Sequence, residues 1–262
     1  MKHIQDILVI DDEPTVTRVV AKVCGAEGMT ITAANNVYEA LRCLQEGEFR
    51  LVLCDIMMPE LSGFKFLEEL AHRGIQTPVI MMTGYSTVEN AVKSLTATGA
   101  VDYIPKPFTA DELLTVIQRS LRCGVLLEAA ESAGLPRSGA MSYVPCPADY
   151  YSLGYVSWAL MEDKGTAKIG VSDLFLRAAE GLKEFELCLP GEDLLQGIPC
   201  AEMTSPDGAM HNIMCPLSGR ILEVNEQAQS APSLVEKDPY FRGWLYRILP
   251  SNPASDLQWL SL

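Results

Sequence analysis

Asp11, Asp12 and Glu13 stand together, Asp55 follows forty-odd residues later, and Thr83 and Lys106 come further on, each just beyond the end of a short apolar run, with Tyr103 inside the last run. Carboxylates brought into one place repel one another by about 4 kcal/mol per close pair at an effective dielectric of about 20, so such a group needs a cation. All-oxygen ligands point to Mg²⁺. A carboxylate beside Mg²⁺ and a lysine is a credible phosphoryl acceptor, because the metal and the ammonium neutralise charge on the transferring group. Asp55 is the natural nucleophile, with Lys106 as the second cation. A plainer reading stands beside this one. An Asp-Asp pair after a strand is often a helix cap, and Pro14 after Glu13 suits a helix start, so capping and metal binding are compatible here.

The chemistry requires elements that bring these residues to one rim. Ile7 to Ile10, Thr30 to Ala33, Leu51 to Cys54, Pro78 to Met82 and Val101 to Ile104 are short apolar runs, separated by segments with helical spacing. That alternation is the βα repeat pattern. Val37-Ala40-Leu41-Leu44 and Leu113-Leu114-Ile117-Leu121 each place apolar side chains on one helical face, as helices covering a buried parallel sheet do. The expected fold is α/β and doubly wound, with ligands beyond the carboxyl ends of the strands. The candidate residues follow those ends.

Val9-Ile10-Asp11-Asp12-Glu13, Leu53-Cys54-Asp55-Ile56-Met57-Met58-Pro59, Ser62-Gly63, Met82-Thr83-Gly84 and Tyr103-Ile104-Pro105-Lys106-Pro107-Phe108 together resemble a response-regulator receiver domain, with a flavodoxin-like (βα)5 fold. The resemblance covers residues 4 to about 122. It implies that Asp55 takes a phosphoryl group from a phosphohistidine on a histidine kinase or phosphotransfer protein. It implies that Asp12, Asp55 and the backbone carbonyl of Met57 hold Mg²⁺, with Asp11 acting mainly through water. Lys106 would pair with the phosphoryl oxygens and Thr83 would turn toward them. Tyr103 would follow as a switch, changing its exposure on the face made by the fourth helix, fifth strand and fifth helix. Met57 offers no hydrogen bond to an attacking water, so slow self-dephosphorylation is expected.

The formal charge of −14 is shared by both halves, −5 over residues 1–122 (11 basic, 16 acidic) and −9 over residues 123–262 (9 basic, 18 acidic). With a pI near 4.6, neither half is suited to phosphate backbones, which points away from nucleic acid and from an anionic membrane surface. The first ten residues lack the apolar stretch of a signal peptide, and no apolar run is long enough to span a membrane. The eight cysteines include no CxxC pair and fit buried free thiols in a cytoplasmic protein.

The helical spacing continues from Leu113 to about Ala133, with Gly124 its one interruption, and the breaker-rich stretch 134–148 reads as a linker. The expected domains are thus 1–122, a helical extension and linker over 123–149, and 150–262. Beyond Tyr150, runs such as Lys168 to Val171, Phe185 to Leu189 and Arg220 to Asn225 read as a mainly β barrel or sandwich. One helix is expected from Ser172, its cap, to about Glu180. His211 is expected to be exposed, Cys200 and Cys215 to be two buried thiols bracketing a hairpin, and nothing looks catalytic.

Ser157-Trp158-Ala159-Leu160, Gly165 to Val171, Cys215 to Glu226 and Asp238 to Leu245 resemble the glycine-cleavage H-protein, a lipoyl-carrier relative with a barrel-sandwich fold. The resemblance places the lipoylated lysine eight residues before the proline corresponding to Pro216. That position is Gly208, and no lysine occurs between Lys183 and Lys237. Ser205-Pro206-Asp207-Gly208 reads instead as a tight turn. The chain is therefore expected to be a response regulator with a non-lipoylated, protein-binding output domain. It accepts and loses a phosphoryl group but has no separate turnover activity. A homodimer through the receiver face is compatible with this reading. The competing reading is a modulator of lipoate-dependent or glycine-cleavage enzymes. A sequence-specific transcription factor is disfavoured by the charge and by the lack of a helix-turn-helix.

Overall fold

The computed structural model describes residues 4–84, 100–132 and 143–262. Among these, the chain forms two compact units, one running to Gly124 and the other from Val125 onward.

The first unit is a parallel sheet of β1 (Ile4–Ile10), β2 (Ile31–Ala34), β3 (Glu48–Asp55), β4 (Val79–Thr83) and β5 (Asp102–Pro105) in the order β2-β1-β3-β4-β5. Its described helices are α1 (Pro14–Ala26), α2 (Val37–Glu46), α3 (Gly63–His72) and the part of α4 (Ala110–Ser132) up to Gly124. Ile7, Leu8, Val9 and Ile10 are all fully buried, so β1 is covered on both faces, as a parallel sheet between helices must be. On one of those faces Ile7, Val9, Leu51, Leu53, Ile80 and Met82 pack against Val20 and Cys24 of α1 and Leu113 and Ile117 of α4. Asn36 and Ser62 cap α2 and α3 with side-chain oxygens that accept from Glu39 N and Lys65 N. Pro14 opens α1 without a side-chain cap from Glu13.

Each expected apolar run lies in or overlaps one of these strands. The expected helix is α4, which continues through Gly124 without a break. The fourth helix of the expected switch face, Ala133 and linker residues 134–142 lie outside the described residues.

The second unit is mainly antiparallel β. Its larger sheet has the order β10-β13-β14-β8-β7-β6, from β6 (Tyr151–Leu153), β7 (Ser157–Met161), β8 (Ala167–Val171), β10 (Asp193–Leu194), β13 (Gly219–Val224) and β14 (Trp244–Pro250). The smaller has the order β12-β11-β9, from β9 (Glu184–Leu187), β11 (Pro199–Thr204) and β12 (Met210–Met214). Trp158 is fully buried against Tyr150 and Tyr240, and its indole N–H donates to Val171 O at 3.0 Å. Gly170 lies opposite it in register, where a Cβ would come within 2.5 Å of the indole ring, so only glycine leaves room. Helix α5 (Asp173–Ala178) is capped by Ser172 as expected, and ends two residues short of Glu180. Short helices α6 (Glu226–Ser230), α7 (Ser233–Lys237) and α8 (Pro253–Leu257) complete the unit.

The β11–β12 hairpin closes on the expected turn, with Gly208 N donating to Ser205 O at 2.9 Å and Gly208 at a φ of 91° that favours glycine. His211 corrects the expectation of exposure: it is 2% exposed, on the inner face of β12. Its Nε2 lies 3.3 Å from Ser205 Oγ, and its ring meets Phe175 edge-on, so the turn and α5 cover it. Cys200 and Cys215 are both buried free thiols, as expected. Among the described residues, no helix is long and apolar enough to cross a membrane.

Candidate functional site

Register brings the strand ends of the first unit level. Ile10 pairs with Cys54, Asp55 with Met82, and Thr83 with Pro105, so Asp11, Asp55, Thr83 and Lys106 emerge along one rim. Asp11, Asp12 and Asp55 can each present a carboxylate oxygen with all three atoms within 4.8 Å of one another. Asp11 is fully buried and Asp55 nearly so, while Asp12 is the more open of the three.

Lys106 joins this group from the last strand end. Its Nζ donates to Asp11 Oδ2 at 2.6 Å and to Asp55 Oδ2 at 2.8 Å. Both carboxylates are also positioned by local backbone, since Glu13 N donates to Asp11 Oδ1 at 2.9 Å and Met57 N to Asp55 Oδ1 at 3.1 Å. Lys106 N in turn donates to Thr83 O at 2.7 Å, which ties the lysine to the end of β4.

Burial works against the Lys106 charge, but the hydrogen bonds to Asp11 and Asp55 outweigh it and hold the ammonium above the ordinary lysine range. Burial pushes the Asp11 carboxyl up, with Asp55 adding to it, against the Lys106 and Glu13 hydrogen bonds that pull it down. Two buried carboxylates sharing one ammonium, with a third within reach, form an all-oxygen set that suits a hard divalent cation such as Mg²⁺.

Thr83 is fully buried at the end of β4, and Tyr103 is 4% exposed on β5. Burial and the neighbouring Asp102 push the Tyr103 phenol up to about 12. The Met57 side chain is 58% exposed, unlike the apolar residues around it. Cys54, beside Asp55 on β3, is a buried free thiol.

Two supporting features carried no readable signal in the sequence. Gly63 donates its N–H to Ile56 O at 3.0 Å and lies so close to the end of β3 that a Cβ would be 2.3 Å from Asp55 O. The motif contains this glycine, but its spacing does not reveal the close approach. Asp102 and Arg119 form a buried ion pair, with Arg119 Nη2 and Nε donating to Asp102 Oδ2 at 2.6 and 3.0 Å. Asp102 Oδ1 accepts from Tyr103 N at 2.9 Å, so the pair fixes β5 to α4 next to the expected switch residue.

Residues 7–118 match the response regulator receiver domain family, and residues 150–261 match the glycine cleavage H-protein family. The regulatory protein AtoC of Escherichia coli strain K12 is 42% identical over 122 residues, 47% of this chain and 26% of AtoC. An uncharacterized transcriptional regulatory protein, YkoG of Bacillus subtilis, is 40% identical over 116 residues, 44% of this chain and 50% of YkoG. The chain thus spans about a quarter to a half of the length of these relatives. The receiver domain of the Francisella response regulator 1452 is similar at 30% identity and a TM-score of 0.43, over 45% of this chain and 97% of that one. The chain carries the receiver domain of two-component response regulators, followed by a glycine cleavage H-protein domain.

Proposed function

We propose that this chain is a phosphorylation-controlled adaptor in two-component signalling. Asp55 accepts a phosphoryl group from the phosphohistidine of a histidine kinase or phosphotransfer protein, and the H-protein-like domain acts by binding another protein. The observation that carries the reading is the Lys106 ammonium held between Asp11 and Asp55 with Asp12 alongside.

Asp11, Asp12, Asp55 and the backbone carbonyl of Met57 are the groups that would hold Mg²⁺. When bound, that ion neutralises negative charge on the transferring group. The protein's own residues supply the rest. An Asp55 carboxylate oxygen attacks phosphorus while the bond from phosphorus to the donor imidazole nitrogen breaks. Lys106 moves from the free carboxylate to the phosphoryl oxygens, and Thr83 adds a hydrogen bond to them. The acyl phosphate carries about −2 where the carboxylate carried −1, so about one further negative charge stands at the rim, and conformations that recapture it gain population. Tyr103 is the residue we assign to report that change on β5. No further turnover is proposed.

The output is assigned to protein binding because both halves are acidic and Gly208 occupies the position the resemblance gives to the carrier lysine. Capture of partners from host lysate tests the reading, with beryllofluoride-loaded protein as the acyl-phosphate mimic and Asp55→Ala as control. A partner retained only by the loaded protein supports it, whereas unchanged assembly and affinity on confirmed loading would overturn it. A gel shift with host DNA at physiological salt tests the assignment against a DNA-binding output.

The match to the glycine cleavage H-protein family favours one second reading. In it, the domain docks with lipoate-handling or glycine-cleavage enzymes and modulates them. Their activity should then change when purified protein is added.

A further inference from the structure

We infer that the outward face of the β9–β11–β12 sheet is a docking face for an extended, basic segment of a partner protein. This deepens the protein-binding reading above by naming the partner's chemistry, and it rests on that reading.

Side chains alternate over Glu184 to Glu186, Ala201 to Thr204 and Met210 to Ile213, whereas Cys200 at the register shift and Met214 at the strand end are buried next to a buried neighbour. Phe185, Ala201, Met203, His211 and Ile213 are buried on the inner face. Glu184 and Glu186 of β9, Glu202 of β11 and Asn212 of β12 therefore share the outer face. The register sets Glu202 directly opposite Glu186 on one side and Asn212 on the other. Like charges directly opposite one another disfavour the pairing. An internal cation would relieve this, yet among the described residues the only ion pair on this face is Lys183 with Glu184 at 3.7 Å.

A groove of about 420 Å³ is lined by Glu186, Glu202 and Asn212 of this face, with Glu184 outside it. Glu186, Glu202, Glu192 and Asn212 supply its polar walls, and the main apolar side chain on its rim is Leu189, 66% exposed. The face thus offers apolar contact and unneutralised negative charge together, which an acidic or neutral partner could not match.

Spacing narrows the partner further. Side chains two residues apart on a strand project to one side at roughly 6.6 Å. A segment with Lys or Arg at alternate positions, lying along β9, would place successive cations over Glu184 and Glu186.

The test uses the full chain and a fluorescent peptide of alternating Lys and Thr, with an alternating Glu and Thr peptide as control. Wild-type protein should bind the basic peptide in a salt-dependent manner. Glu186→Gln with Glu202→Gln should weaken binding at least about fivefold and leave the melting temperature unchanged or higher. Glu46→Gln with Glu48→Gln makes the same charge change on the receiver and should leave binding within about twofold. Carbodiimide coupling of the bound peptide should map to Glu184, Glu186 or Glu202.

Absent binding, equal loss in both double variants, or coupling that maps elsewhere would overturn the docking face. Binding that survives in both double variants would overturn it as well. Repeating the titration with beryllofluoride separates the two readings. Peptide binding that maps to this face but does not respond to loading keeps the docking face and counts against phosphorylation control.

Discussion

At the scale of single residues, the rim is a charge balance that Lys106 maintains. Its ammonium is the one cation bonded to both Asp11 and Asp55 among the described contacts. Removing one partner of a buried ion pair leaves uncompensated charge, so Lys106→Met should cost about 3 kcal/mol of stability in EDTA. Mg²⁺ should recover part of that loss, as a ligand that binds only the folded state does. Urea unfolding in the two buffers measures both effects, and equal losses would argue against a metal at these carboxylates. Met57, exposed and without a hydrogen-bonding group, leads to a second expectation. The Asp55 phosphoryl group should persist for minutes, measured by phosphate release in Mg²⁺ buffer, and a half-life of seconds would contradict it.

At the scale of elements, two contacts join segments that the chemistry depends on. Gly63 lets the start of α3 lie against the end of β3. Its replacement by Ala meets a backbone oxygen that cannot swing away, so the helix start must move. Gly63→Ala should cost about 2 kcal/mol and weaken beryllofluoride binding, read by calorimetry. At the other end of the sheet, Asp6 ties β1 to the residue before β2 through Thr30 N at 2.8 Å and Thr30 Oγ1 at 2.9 Å. The Thr30 backbone N–H first, and its hydroxyl next, hold the Asp6 carboxyl below its ordinary 3.8. A depressed folded-state pKa stabilises fully above the unfolded value and is lost as pH falls through the folded one. The stability advantage of wild type over Asp6→Asn should therefore hold at neutral pH and disappear in acid well below 3.8, followed by urea unfolding across that range.

At the scale of the whole molecule, a receiver domain and a glycine cleavage H-protein domain share one acidic chain. Gly208 has no amine, and a Cβ there would meet nothing within 4 Å, so the hairpin tip is open but chemically blank. Co-expression with the host's lipoylation enzymes should leave the intact mass unchanged. A lipoyl or octanoyl adduct would refute the non-carrier assignment.

Much of this architecture was legible in the sequence because it depends on local periodicity and type. The five apolar runs mark the parallel strands, Ser172 marks the start of α5, and Pro206-Asp207-Gly208 marks a turn, each through spacing or conformational preference within a few residues. Residue types alone also set the negative charge and the missing lysine. Tertiary structure decided what depends on partners far along the chain. Lys106 reaches Asp11 across 95 residues and Asp55 across 51. His211, polar and on a hairpin, was expected to be exposed, and it is buried because Phe175 and Ser205 fold over it. The opposition of Glu186 and Glu202 is a matter of register, which strand composition does not specify. Short-range preferences are written residue by residue, whereas burial and charge pairing exist only once distant segments have packed.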